Sequence, residues 1–183
     1  MAGVIREVAE AGPRARVLEV QSIADLDRQP ASFDLVASPF GIALDPEPDR
    51  AVSALARVAA PGGVVVLTAW VPRGLPGRLF EFAEQLTPLP PGVPSPSEWG
   101  RSDVAARRLA RTLVDVQVRT RTTRLSFADA DAAFAALSSV VPFPHPRRDE
   151  LRPAFDRLLG SCNDAPQGVE IAGRYLLALG RIS

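Results

Sequence analysis

The sequence predicts an α/β fold in which a mostly parallel sheet is covered by helices. Residues 64–70, VVVLTAW, form an uninterrupted apolar run, which is typical of a strand buried on both faces. A helical pattern at 45–60 and a Pro-Gly-Gly turn at 61–63 come directly before this run. The order strand, strand, helix, strand over residues 16–70 therefore favours parallel pairing, and we expect one domain over residues 1–183.

Each element of the first half has a local signal in the sequence. The predicted elements are a helix at 2–11, strands at 16–20 and 33–38 joined by a polar connector at 21–32, the helix at 45–60 and the strand at 64–70. Gly12-Pro13 ends the first helix, and Pro48 with Asp49 suits the start of the second. Gly62 and Gly63 are expected to end the second helix and form a turn.

The second half alternates helices and strands around one irregular segment. The predicted elements are helices at 75–86, 102–113, 128–141 and 147–160, and strands at 114–127 and 168–182. Residues 87–100 hold five prolines and two glycines, so we expect a loop without regular structure. The parity of apolar residues changes along 114–127, which predicts a bulge or twist, and Gly173 is expected to interrupt the last strand. Together these give about five strands, the last two forming an antiparallel element.

Composition and charge exclude several classes of function. Arg and Lys total 21 and Asp and Glu total 21, so a net charge of zero argues against binding to nucleic acid or an anionic membrane. All basic residues are Arg, which is typical of a GC-rich bacterial genome. One His and one Cys make a Cys/His metal site implausible, and we expect no metal. Cys162 cannot form an internal disulfide, and no apolar run is long enough to span a membrane, so we expect a cytoplasmic protein.

Residues 33–70, FDLVASPFGIALDPEPDRAVSALARVAAPGGVVVLTAW, resemble the class I S-adenosylmethionine-dependent methyltransferases, in particular the ubiquinone/menaquinone-biosynthesis group. In that family a strand beginning Phe-Asp ends beside the methyl donor, and a helix leads to a Pro-Gly-Gly turn and the next strand. The resemblance continues through 70–82, 90–100 and the final strand, over roughly 16–182. It implies a reduced Rossmann-like methyltransferase sheet, S-adenosylmethionine as cofactor and a small-molecule acceptor.

The chain departs from the family at the donor-binding segment. The family holds the donor with a GxGxG loop after its first strand, and residues 1–40 contain no GxG. We therefore expect a cofactor half that is truncated or degenerate, with the donor site incomplete or lost. Residues 15–20 align either with the family's third strand or, after an internal deletion, with its first. In both cases this strand is predicted to pair directly and in parallel with 34–38, since buried edges left unpaired are costly.

The resemblance also implies roles for individual residues. The donor-side positions are Ser22, Ile23, Ser38, Pro39 and Phe40, and the acceptor-side positions are Trp70 and Trp99. The alternative interpretation places Phe40 and both tryptophans in core packing. No catalytic side chain is assigned, and the lone His145 between two prolines is expected to be exposed. Asp34 is expected to have a structural role.

Three functions stay open on the sequence. The first is methyl transfer to a small molecule, with the competence of this chain alone in question. The second is a non-catalytic pseudo-methyltransferase that assembles with itself or with an intact enzyme as a subunit. The third is a protein that binds or cyclises a small ligand in the residual acceptor pocket. Whether the chain is an enzyme is left undecided.

Overall fold

The computed structural model describes residues 14–141, 145–163 and 165–183, so the predicted helix at 2–11 lies outside the described residues. Within these ranges the strands are β1 Val17–Glu19, β2 Phe33–Pro39, β3 Ala59–Trp70, β4 Val114–Phe127 and β5 Val169–Arg181. The α-helices are α1 Pro48–Val58, α2 Leu75–Leu86, α3 Ser102–Leu109, α4 Ala130–Ser139 and α5 Arg152–Gly160.

The strands form one sheet in the order β1-β2-β3-β5-β4. β1, β2 and β3 pair in parallel, whereas β5 runs antiparallel to both of its neighbours, β3 and β4. Four of the five strands therefore point in the same direction. The predicted mixed α/β sheet with an antiparallel element at its C-terminal end is confirmed.

The short strand β1 pairs directly with β2, as predicted. Val17 lies opposite Leu35, and the register continues in parallel to the end of β1. An ion pair joins the residues at the start of β1 and β2, with Arg16 Nη2 2.8 Å from Asp34 Oδ1. The Arg16 backbone N–H also donates to Asp34 Oδ2 at 2.9 Å. Asp34 therefore joins two strands, which is the structural role expected for it.

The junction between α1 and β3 differs from the predicted turn. α1 ends at Val58, and Ala59 is already extended and paired with Phe33 of β2. The Pro-Gly-Gly segment at 61–63 lies inside β3, where the register with β2 shifts. The helix therefore passes straight into a strand, and the glycines accommodate an irregularity within that strand instead of a separate turn.

No bulge separates the two halves of β4, so of the predicted bulge or twist the bulge is wrong. Its register with β5 is continuous from Gln117 to Phe127, and the irregularity lies earlier, between Val114 and Gln117. The change of parity has another cause, because Val118 packs against the core that contains α1 and α3 while Leu125 packs against the core beside α2, α4 and α5. The two ends of β4 contribute to opposite faces of the sheet.

Two further predictions about loops and glycines need correction. Gly173 does not interrupt β5, because it pairs in register with Thr123; a Cβ there would lie 3.1 Å from Cζ3 of Trp70, so the missing side chain allows close packing. The proline-rich loop is not wholly irregular, since Pro96–Gly100 forms a 3-10 turn.

Helices cover both faces of the sheet. α1 and α3 pack on one face, and α2, α4 and α5 pack on the other around the strands β4 and β5. The β3 run 64–69 is buried throughout, which confirms the strand covered on both sides. Among the described helices, none combines the length and apolar character needed to cross a bilayer.

Candidate functional site

A cavity of about 420 Å³ lies at the carboxyl ends of β2 and β3, and we call it the aromatic cavity. In parallel sheets this edge is where ligands bind, because the strand-to-helix connections open there. Most of its lining is apolar and comes from several elements: Pro39, Phe40, Ala69, Trp70, Phe80 and Val140. Its polar lining includes Gln21, Ser97 and Ser139, and none of its described lining residues is charged.

The segment 38–40 at the end of β2 shapes the cavity. Ser38 is 1% exposed, and its Oγ accepts the backbone N–H of Ile42 at 2.9 Å. Phe40 adopts a left-handed backbone with φ of 62°, which a side chain other than glycine adopts at a cost. Its N–H donates to Thr68 Oγ1 of β3 at 3.1 Å. Ser38 therefore stabilises the turn through its hydrogen bond with the Ile42 N–H, while Pro39 and Phe40 line the cavity.

Two aromatic side chains that line the cavity, Phe40 and Trp70, pack against each other and against a third, Tyr175. Phe40 stacks on Trp70 with ring centroids 4.2 Å apart and an interplanar angle of 17°. Tyr175 of β5 meets both rings edge-on, at 5.9 Å from Phe40 and 6.3 Å from Trp70. The β3–β5 register places Tyr175 directly opposite Trp70. Sequence reasoning missed Tyr175, because its neighbours follow from a register that strand patterns alone do not fix.

The residues predicted at the end of β1 are engaged locally. Ser22 Oγ accepts the N–H of Ala24 at 3.2 Å and caps the 3-10 turn Ile23–Leu26. The Asp25 carboxylate accepts the backbone N–H groups of Gln21 and Ser22, each at 2.9 Å, and these two hydrogen bonds lower the pKa of Asp25. Ser22 is exposed and Ile23 packs against the core near α1, so Gln21 is the residue of this connection that lines the cavity.

The structure places the two tryptophans differently. Trp70 lines the aromatic cavity. Trp99 is 1% exposed and belongs to the core with α3, with the guanidinium carbon of Arg108 5.1 Å from its ring centre. From its loop, Pro96 and Ser97 line the cavity instead. Trp99 thus follows the alternative interpretation, core packing under a long loop, because that loop folds over it.

The other candidate groups lie elsewhere. The side chain of His145 falls outside the described residues. Cys162 is half-buried, with its Sγ 3.1 Å from the Leu158 carbonyl oxygen. No cluster of potential metal ligands occurs in the described part of the chain. A second hollow of about 360 Å³ between α2 and α5 is lined by Arg78 and Arg157 among others.

Comparison with known proteins agrees with this architecture. Residues 2–67 match the family described as a methyltransferase domain. The fold is that of the class I methyltransferases. A SAM-dependent methyltransferase of Thermotoga maritima matches with a TM-score of 0.53 at 12% identity, over 98% of this chain and 87% of that one. A protein of Bacillus halodurans assigned to the methyltransferases matches with a TM-score of 0.52 at 12% identity, over 99% and 98%.

The curated relatives share a shorter segment with this methyltransferase-fold protein. Uncharacterized proteins of Mycobacterium tuberculosis and Mycobacterium bovis are 32% identical over 88 residues, which make up 48% of this chain and 32% of each relative. The match therefore spans about a third of the length of these relatives.

The described residues do not fit the charged end of S-adenosylmethionine. That donor carries a carboxylate and an ammonium group, yet the described lining of the aromatic cavity holds no charge. The backbone N–H groups at the end of β1 are taken by Asp25. The space beside Gly41 is also filled, because a Cβ there would lie 2.3 Å from the Gln21 carbonyl oxygen. The missing side chain of Gly41 thus allows close packing between the two connections.

Proposed function

We propose that this methyltransferase-fold chain binds a small, largely apolar molecule in the aromatic cavity, on the acceptor side of methyl transfer. We further propose that this chain alone does not hold S-adenosylmethionine. The observation that carries the proposal is an uncharged cavity lined by the stacked rings of Phe40 and Trp70 at the strand ends where α/β proteins bind ligands.

The cavity's residues bind and orient the molecule and exclude water from it. The Phe40–Trp70 stack is fixed by the β2 turn and by Gly173, so a flat apolar ligand meets a preformed wall. Methyl transfer needs mainly this positioning, because the donor supplies an activated methyl group when it is bound. A shortage of acid and base side chains is therefore compatible with an acceptor site.

Calorimetry tests both halves of the proposal. The chain is titrated with 2-methoxynaphthalene as a flat apolar probe, and separately with S-adenosylmethionine and S-adenosylhomocysteine. We expect saturable binding of the probe and no binding of either sulfonium or thioether ligand. Micromolar binding of S-adenosylmethionine would overturn the second half, and no binding of the apolar probe would overturn the first.

A matched pair of variants localises the binding. Val140 and Val114 are both exposed apolar residues, at 41% and 46%, but Val140 lines the cavity and Val114 lies at the start of β4. Val140→Glu should weaken probe binding about tenfold or more, since it places a charge beside an apolar ligand. Val114→Glu should leave the affinity unchanged. Equal effects of the two substitutions would contradict the assignment of the site.

We propose assembly with a second subunit as another candidate function, supported by a different observation. β4 is an edge strand of 14 residues that pairs on one side with β5 and on its other side with no described strand. Such an edge can extend the sheet of another chain. Light scattering of the chain, alone and mixed with an intact methyltransferase of the same organism, tests this role. A monomer in both samples would contradict it.

A further inference from the structure

A chain of hydroxyl groups connects the aromatic cavity to the half-buried carboxylate of Glu84. Glu84 of α2 accepts a hydrogen bond from Ser95 Oγ at 2.6 Å. Ser95 Oγ lies 2.5 Å from Ser97 Oγ, and Ser97 is one of the polar residues that line the cavity. All three side chains are half-buried, so the carboxylate is partly screened from solvent, and of the three only Ser97 lines the cavity.

The number of protons fixes the direction of these hydrogen bonds. A serine hydroxyl has one proton, and an ionised carboxylate can only accept. Ser95 donates its proton to Glu84 and also accepts the backbone N–H of Ser97 at 3.1 Å. The short contact between the hydroxyls must therefore use the proton of Ser97. Ser97 Oγ then has only lone pairs left to offer.

We propose that Ser97 selects ligands that carry a hydrogen-bond donor, a hydroxyl or an N–H group, on an otherwise apolar body. This rests on the proposed function of the aromatic cavity as a small-molecule site. Ser97 contacts the ligand, while Ser95 and Glu84 are positioning residues that act through it. An oxygen or nitrogen acceptor carries such a proton before methyl transfer, so the inference names the chemical class of the molecule.

The surroundings of Glu84 make the selection depend on pH. Burial raises the pKa of Glu84, and the neighbouring carboxylates of Glu81 and Glu98 raise it further, against the hydrogen bond from Ser95. Glu98 is itself held by Arg108 at 2.6 Å. Above its pKa, Glu84 fixes Ser97 as an acceptor. Below its pKa, the protonated carboxyl of Glu84 can itself donate a hydrogen bond. The direction of the hydrogen bonds from Ser97 through Ser95 to Glu84 is then no longer fixed.

A pair of probes with the same ring system tests the inference by calorimetry. 2-Naphthol and 2-methoxynaphthalene share a ring system, but only the first has a hydroxyl proton to donate. The natural chain should bind 2-naphthol about tenfold more tightly, the effect of one well-made hydrogen bond. Ser97→Ala should bring this ratio close to one while the affinity for 2-methoxynaphthalene stays within about twofold.

Further variants separate a role in selection from a role in folding. Glu84→Gln keeps the shape and an acceptor oxygen, but the amide can also donate, so Ser97 is no longer fixed as an acceptor. The ratio of the affinities for 2-naphthol and 2-methoxynaphthalene should therefore fall and stop depending on pH. Ser95→Thr keeps the hydroxyl and should retain the ratio. Ser53→Ala, in α1 and remote from the cavity, serves as the control and should change nothing.

The outcomes distinguish this inference from the proposed function. Tight binding of both probes with equal affinity to the natural chain would overturn the selection by Ser97 and leave the cavity intact. Binding of neither probe would overturn the proposed function itself. A probe ratio that survives Ser97→Ala would assign the preference to another residue and overturn the inference.

Discussion

The connections that follow β1 and β2 lie side by side at the carboxyl edge of the sheet, but they use their polar groups differently. After β1, the side chains of Ser22 and Asp25 accept hydrogen bonds from nearby backbone N–H groups, so the polar groups of this connection are paired with one another. After β2, Ser38 supports a turn that carries Phe40 into an aromatic stack beside the cavity. At one edge of a sheet, the connection after one strand can therefore line an open cavity. The connection after the neighbouring strand can at the same time use its polar side chains for its own backbone N–H groups.

The largest predicted effect comes from the point where the two connections touch. A Cβ at Gly41 would overlap the Gln21 carbonyl, so Gly41→Ala should destabilise the fold by about 3 kcal/mol. Gly160→Ala is the control, because no neighbouring atom lies within 4 Å of that position and its effect should be near zero or stabilising. Urea unfolding of both variants measures the difference. Equal stabilities would mean that the connections are not in contact.

A smaller effect is expected on the aromatic side. Phe40→Ala removes a half-buried ring and its stack on Trp70, and should cost about 2 kcal/mol of unfolding free energy. Phe40→Gly removes the same ring but also relieves the left-handed backbone, so it should cost about 1 kcal/mol less. Both should weaken binding of the apolar probe. An alanine variant as stable as the glycine variant would contradict the strained turn.

A substitution in the connection after β1 should change the stability of the fold but not the binding of the probe. Ser22→Ala removes the cap of the 3-10 turn and should destabilise by about 1 kcal/mol. Because Ser22 does not line the cavity, probe binding should not change at concentrations where the variant is folded. Calorimetry next to thermal unfolding checks both statements. A loss of probe binding would restore Ser22 as a ligand contact.

The smallest effect concerns the exposed pair that joins β1 to β2. The side-chain and backbone hydrogen bonds from Arg16 lower the pKa of Asp34 to about 2. A lowered pKa stabilises the fold above the ordinary aspartate pKa of about 3.9, and this stabilisation is lost as the pH falls through about 2. Asp34→Asn should therefore lower the melting temperature slightly near neutral pH and not at pH 2.

Arg16→Gln is the companion variant, since removing either partner breaks the pair. Its melting temperature should follow the same pH profile as that of Asp34→Asn, and high salt should reduce both effects because the two side chains are exposed. Profiles that differ between the two variants would contradict a stabilisation shared by this pair.

Much of the fold could be predicted because local patterns carry it. The apolar run at 64–70 identified a strand buried on both faces, and the cost of unpaired edges predicted that β1 joins β2. The predictions of a bulge between Val118 and Leu125 and of an interruption at Gly173 were wrong for one reason. Each prediction explained a change in the residue pattern of one strand by an irregularity of that strand's own backbone. The change instead reflects packing against other elements.

The candidate site was predictable only in part. Phe40 and Trp70 end two parallel strands, which is enough to place them at one edge of the sheet. Trp99 could not be assigned in this way, because a long loop leaves the direction of its side chain to tertiary packing. The hydroxyl chain from Glu84 to Ser97 was missed since it joins a helix to a loop whose path the sequence does not define.

The sequence by itself determined the α/β class, the resemblance to class I methyltransferases and the absence of a GxG loop from residues 1–40, because these depend on residue types and their order. Only the tertiary structure decided which side chains line the aromatic cavity and which pack behind them. That choice depends on the β3–β5 register that brings Tyr175 to Trp70, and on the turn that fills the space beside Gly41 with the Gln21 backbone. Both are contacts between distant segments, which close packing selects and local sequence does not encode.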